Sequence, residues 1–255
     1  MRNLGWTFVV ALLGTVAVGH FALSASTASS LFDKPLKTVR VPLPRDPDNP
    51  QSKAELSCAY YPRFVVKQID LGEEGAYQLS IIPLSGQEQP ACRKDNATNE
   101  KVVSADDWTG YFDGVKGNYV FFDAEDGWND GMGFAVFTPE AKKIYDDVAK
   151  KWSSAEVTPT GVALRYERVF GAKCSLQVDQ ATCWSQIKQA TGLADATPPD
   201  CRAAYVKEQN RVPKFAKQTL SDPTIIDYDV SVTIDGTTQK TKAVTGKALR
   251  CRPAE

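Results

Sequence analysis

Histidine is nearly missing from this chain: one occurs in 255 residues, His20, inside an apolar N-terminal run. Residues 1–28 have the make-up of a secretory signal, with Arg2 ahead of the mainly apolar stretch Leu4–Val18 and Ser26-Thr27-Ala28 as the small-residue cleavage pattern. A chain cut after Ala28 carries no imidazole at all. That excludes Ser-His-Asp and Cys-His nucleophiles, and also zinc, copper or non-haem iron held by histidine. No second long apolar run follows, so no membrane span is expected after cleavage. G-x-S-x-G, G-x-G-x-x-G, a Walker loop and H-E-x-x-H are missing as well. An excess of one charge is also lacking, with 30 Lys and Arg against 31 Asp and Glu. Nucleic acid is therefore not an expected partner.

Six cysteines are present: Cys58, Cys92, Cys174, Cys183, Cys201 and Cys251. An even number in an exported chain reads as three disulfides formed in a periplasm or outside the cell. No two cysteines have a spacing of two intervening residues, which disfavours a zinc ribbon or a thioredoxin-like pair. Near-sequential pairing is the simplest, giving Cys58–Cys92, Cys174–Cys183 and Cys201–Cys251.

The predicted organisation is a signal peptide over 1–28, an extended segment over 29–55 and one β-rich domain over 56–255. Within the segment, Leu36–Leu43 alternates as a short strand, followed by the proline-rich loop Pro44–Pro50. Strand candidates follow at Phe64–Ile69 and Tyr77–Ile82, with turn glycines Gly72 and Gly75 between them. Residues 85–107 are polar and irregular, and include the sequon Asn96-Ala97-Thr98. Aromatic and β-branched runs at Asn118–Phe122 and Met132–Phe137 flank a predicted inter-strand loop at Asp126–Gly131. Thr138, Pro139 and the spacing of Ile144, Tyr145, Val148 and Trp152 favour a helix over 138–152, against a turn with a returning strand from Lys143 to Val148. Gly161–Phe170 alternates, with Val162, Leu164, Tyr166 and Arg168 on one face. Helices are expected at Thr182–Ala190, closed by Gly192, and at Cys201–Gln209 behind Asp200. Strands Ile225–Ile234 and Lys240–Arg250 end the chain. The fold class is mainly β, with antiparallel sheets in a sandwich-like or irregular arrangement, two or three short helices, and disulfides.

Two stretches carry candidate chemistry. Ser185-Gln186-Ile187-Lys188 matches S-x-x-K, but S-D-N and K-T-G are lacking, so it reads as a solvated helix face. Residues 106–130 interleave seven acids with seven aromatics, and Lys116 is their only basic residue. Trp108, Tyr111, Asp123, Asp126, Trp128 and Asp130 are the ligand-binding candidates, as stacking platforms and hydrogen-bonding carboxylates for a polysaccharide or envelope component. Asp123, Asp126 and Asp130 are also the candidates for Ca²⁺, which takes oxygen ligands, although their spacing does not fit an EF-hand loop. No other cofactor is expected. The competing reading makes the aromatics core residues and the acids turn residues. From Cys201 to Arg252 basic residues outnumber acidic ones two to one, fitting a solvated face, an anionic partner or attraction to the acidic stretch within the fold. The expectation is an exported, non-catalytic binding or envelope-associated protein. The alternative is a carboxylate-based hydrolase of glycans, a chemistry that needs no histidine.

Overall fold

A computed structural model describes residues 30–44, 51–86, 88–244 and 248–254. The predicted leader 1–28 and the stretch 45–50 lie outside the described residues. Leu31–Glu255 forms one unit, built on two antiparallel sheets.

The first sheet is a meander of β1 (Lys37–Pro42), β2 (Glu55–Tyr60), β3 (Phe64–Asp70), β4 (Gln78–Pro83) and β5 (Lys101–Val102), paired in that order. Alternation along β3 sends Phe64 and Val66 to one face, Val65 and Ile69 to the other. Both faces are buried, because Leu84, Cys92 and Ala97 of the loop after β4 pack on the second of them. The second sheet runs β6 (Tyr111–Lys116), β7 (Tyr119–Trp128), β8 (Gly131–Phe137), β9 (Lys143–Val157), β10 (Gly161–Gly171), β11 (Thr224–Asp235) and β12 (Thr238–Ala243). A last strand, β13 (Arg250–Pro253), returns against β11. Between β10 and β11 lie α1 (Gln180–Thr191), α2 (Arg202–Arg211) and the single turn α3 (Ala216–Thr219).

The pleat of β7 divides the core. Val120 and Phe122 pack with Phe64, Val66 and Ile81 of the first sheet, while Tyr119 and Phe121 face the opposite layer. That layer holds Trp184 and Ile187 of α1 and Tyr205 of α2. The N-terminal segment reaches the same layer, where the Phe32 ring sits 5.1 Å from that of Phe121 and 6.4 Å from that of Trp152. Gly114 leaves room for it, since a Cβ there would lie 2.3 Å from the Phe32 ring.

The three disulfides pair as near-sequential reasoning expects, Cys58–Cys92, Cys174–Cys183 and Cys201–Cys251. They tie β2 to its covering loop, the start of the helical insertion to α1, and α2 to β13. Asp179 caps α1 by accepting from the Thr182 amide at 3.1 Å, and Gly192 ends it with φ 73°.

Four local expectations need correcting. Residues 138–152 do not form a helix: Thr138–Lys142 is a turn, with Ala141 at φ 57°, and β9 follows as a long strand. Irregularities in its pairing with β8 and β10 break strict alternation, so its apolar residues also fit helical spacing. The predicted loop at Asp126–Gly131 is mostly strand. Pairing resumes at Gly127 after an irregularity, and the reversal is only Asn129-Asp130, at φ 49° and 57°, as a two-residue hairpin of right-handed strand twist demands. Lys240–Arg250 is split between β12 and β13 rather than continuous. β2 lies where no strand was predicted.

Candidate functional site

Trp108 stands at the centre of an open surface groove. Ser104 begins its turn, its carbonyl accepting from the amides of Asp107 at 2.9 Å and Trp108 at 3.0 Å. The indole Nε1 donates to the carbonyl of Asp123 at 3.1 Å, which fixes the plane of the ring against β7. Lys143 Nζ lies 5.9 Å from the ring centroid and donates to the Asp107 carbonyl at 2.9 Å. Around the ring runs an open groove of about 390 Å³, lined by Asp106, Asp107, Trp108, Glu125, Asp126 and Lys143. Trp108 also borders a second depression of about 360 Å³ that includes Tyr77, which is 68% exposed. A fixed aromatic ring with acids on its rim can stack on a sugar or a cation and hydrogen-bond its edges.

The other sequence candidates divide among different places. Tyr111 clamps the β3–β4 turn, its hydroxyl accepting from the Gly75 amide at 2.9 Å and donating to the Glu73 carbonyl at 3.2 Å. Trp128 lies over Gly171, where a Cβ would stand 2.2 Å from its ring. Asp130 at the hairpin tip meets Lys150 at 3.5 Å and Arg252 at 3.4 Å. The same Lys150 binds buried Asp227 at 3.1 Å, and the Arg252 guanidinium donates to the carbonyl of Asn129. Asp126 lines the Trp108 groove, whereas Asp123 does not and meets only the indole N–H, through its main-chain carbonyl. Thus Trp108 and Asp126 share one groove, with the Asp123 main-chain carbonyl anchoring the ring. Tyr111, Trp128 and Asp130 are not. Among the described residues no group of three or more His, Cys, Asp or Glu gathers in a way that could hold a metal ion.

Asp123 has a second property. Burial, and then the neighbouring Asp113, push its carboxyl up to about 7, and burial pushes Asp113 up to about 6. Asp113 falls at the irregularity in the pairing of β6 with β7. Neither acid lines the Trp108 groove.

One polar constellation escaped the sequence reading. On the helix-facing side of the second sheet, Asp147 Oδ2 accepts from Tyr145 at 2.9 Å and also from the Tyr166 hydroxyl. Its Oδ1 accepts from Arg168 Nε at 2.8 Å. The two tyrosine oxygens are 2.6 Å apart, and Arg168 Nη1 donates to Tyr228 at 3.1 Å. Burial, reinforced by the Asp147 charge, raises both Tyr145 and Tyr166 well above the usual phenol range. Tyr166 and Arg168 were legible on one face of β10, but Asp147 was hidden by the helical reading of 138–152. The network carries its own charge balance, the Arg168 guanidinium meeting the Asp147 carboxylate. No family model, no curated protein and no solved structure matches the chain.

Proposed function

We propose that this protein is an exported, non-catalytic binding or envelope-associated module whose ligand face is the groove around Trp108. Three disulfides fit an oxidising, non-cytoplasmic location, and among the described residues no helix is long and apolar enough to cross a membrane. The observation that carries the reading is the Trp108 ring, anchored through Nε1 and bordered by Asp106, Asp107 and Asp126 in an open groove. Open grooves of this kind suit an extended ligand held by stacking and edge hydrogen bonds. Two ion pairs elsewhere with a buried carboxylate, Lys67–Glu100 and Arg168–Asp147, are committed to one another. The alternative, a carboxylate-based hydrolase of glycans, draws support from the raised Asp113 and Asp123 pair.

Thermal denaturation against a panel of neutral and anionic oligosaccharides, with and without Ca²⁺, tests both readings. A bound ligand raises the melting temperature by mass action. The expected result is a stabilising oligosaccharide whose effect disappears in Trp108→Ala and persists in Asp123→Asn. Release of reducing ends from a glycan, abolished by Asp123→Asn, would replace this reading with the hydrolase.

A further inference from the structure

The loop that covers the first sheet is closed around a single positive charge. Lys67 projects from β3 on the face occupied by Cys58, with its side chain 2% exposed. Its Nζ meets both carboxylate oxygens of Glu100, at 2.7 and 2.9 Å, and that side chain is only 1% exposed. Three further oxygens surround it: the carbonyls of Lys94 at 3.4 Å and Asp95 at 3.3 Å, and Asn96 Oδ1 at 3.3 Å. An ammonium carries three hydrogens, so five oxygens exceed what it can bind with directed hydrogen bonds. They enclose it as a coordination shell would.

The shell is held from behind. Gln78 Nε2 donates to Glu100 Oε1 at 3.1 Å and to Asn96 Oδ1 at 2.9 Å, and the Ala97 amide donates to Glu100 Oε2 at 2.8 Å. The Cys58–Cys92 disulfide and the bond from Tyr60 to the Pro90 carbonyl, at 2.8 Å, fix the loop on the same side. These anchors belong to the loop and the sheet, so the oxygens are positioned by more than the ion they surround.

We infer that residues 94–100 form a binding site for one ammonium-sized monovalent cation, and that Lys67 is its built-in occupant. Charge and size both argue for this class. One carboxylate balances one positive charge. Contacts of 2.7–3.4 Å suit an alkylammonium or a potassium-sized ion, and are wider than the roughly 2.3–2.6 Å that Ca²⁺ requires. The cover of the first sheet therefore stays closed without an exchangeable metal.

Lys67→Ala keeps Cβ and vacates both the stem and the cage. Its melting temperature should fall by several degrees and recover in ethylammonium or propylammonium chloride, and in part in potassium chloride. Tetramethylammonium chloride at the same ionic strength should not restore it, and Ca²⁺ should do so less than the alkylammonium ions. Lys67→Met, whose stem still fills the channel, should respond to none of them, and Lys67→Ala/Glu100→Gln should lose the response. If Lys67→Ala folds only when refolded in alkylammonium, the inference stands. Equal recovery in every salt, no recovery in any, or retention of the response in the double variant would each overturn it.

Discussion

Replacing Asp147 by Asn tests whether the tyrosine–arginine network ties β9 to β10 and β11 on the helix-facing side of the second sheet. The carboxylate accepts four bonds, from the Tyr145 and Tyr166 hydroxyls, Arg168 Nε and the Val148 amide, and its side chain is only 5% exposed. Removing one member of a buried ion pair costs about 3–5 kcal/mol, because the other is left without compensation. Two features place this site at the lower end. The Arg168 side chain is 23% exposed, so water reaches it, and its guanidinium still holds Tyr228 at 3.1 Å. The expected loss is therefore about 3 kcal/mol. For a domain of this size that corresponds to roughly 6–12 °C in melting temperature.

A double-mutant cycle separates the network from simple damage. Tyr166→Phe alone should cost about 1–2 kcal/mol, since one buried hydroxyl and its charged acceptor are parted. In the Asp147→Asn background the same change should cost clearly less, because the hydroxyl has already lost its ionised acceptor. Urea denaturation of the four proteins gives the coupling directly. A loss below about 1 kcal/mol for Asp147→Asn, or strict additivity with Tyr166→Phe, would refute the pairing on which the estimate rests.

Three further outcomes follow from titration and cross-linking. Because Asp113 and Asp123 have raised pKa values in the fold, their protonated forms are favoured, and this stabilisation is present below about pH 4 and lost as pH rises through about 6–7. Asp123→Asn should flatten melting temperature against pH across that window and melt higher at pH 7.5; an unchanged slope counts against it. Tyr60, Tyr61, Tyr119, Tyr145, Tyr166 and Tyr228 all have raised pKa values, so stability falls once the pH passes the ordinary phenol value of about 10. Their ionisation, followed by near-ultraviolet absorbance, should coincide with loss of circular dichroism, and ionisation well ahead of unfolding would contradict the burial. Replacing Cys201 and Cys251 by Ser should destabilise more than replacing Cys174 and Cys183. The closed loops span separations of 50 and 9 residues, or about 4 against 2.7 kcal/mol on the chain-entropy model.

Strands whose alternation survives intact were legible. Gly161–Phe170 and Ile225–Ile234 pair residue for residue as β10 and β11, and Val162, Leu164 and Tyr166 on one and Tyr228, Val230, Val232 and Ile234 on the other keep a period of two. β9 failed for the opposite reason. Its register shifts against both neighbours, putting adjacent Ile144 and Tyr145 both in the core and Trp152 out of phase with Tyr145, Asp147 and Ala149, which leaves a pattern a helix could also satisfy. β2 was missed because it is short, is buried on both faces, and mixes Ser57 and Cys58 with its apolar residues. Helix ends were better marked at Asp200 and Gly192, which act through local bonds, whereas the Asp179 cap escapes the sequence reading, which starts α1 at Thr182 instead of Gln180.

The acidic segment shows how far proximity in sequence predicts proximity of side chains. Asp123, Asp126 and Asp130 lie within eight residues, yet an extended β7 and a two-residue turn send them to separate surroundings. Only Trp108 and Asp126 reach one groove, because the Ser104 turn brings the indole back against β7. The basic excess of the C-terminal segment supplies the complementary half. Pairing of β13 with β11 carries Arg252 to Asp130 and Asp227, and Arg250 to Glu167 at 2.8 Å. For Arg252, through Asp130, attraction between the acidic middle and the basic end acts inside the fold, whereas Arg250 finds its partner outside the acidic stretch. Lys240 and Lys242 differ, since β12 leaves both exposed at the edge of the sheet. Charged side chains on an edge strand hinder pairing with another chain, which gives them a role that requires no anionic partner.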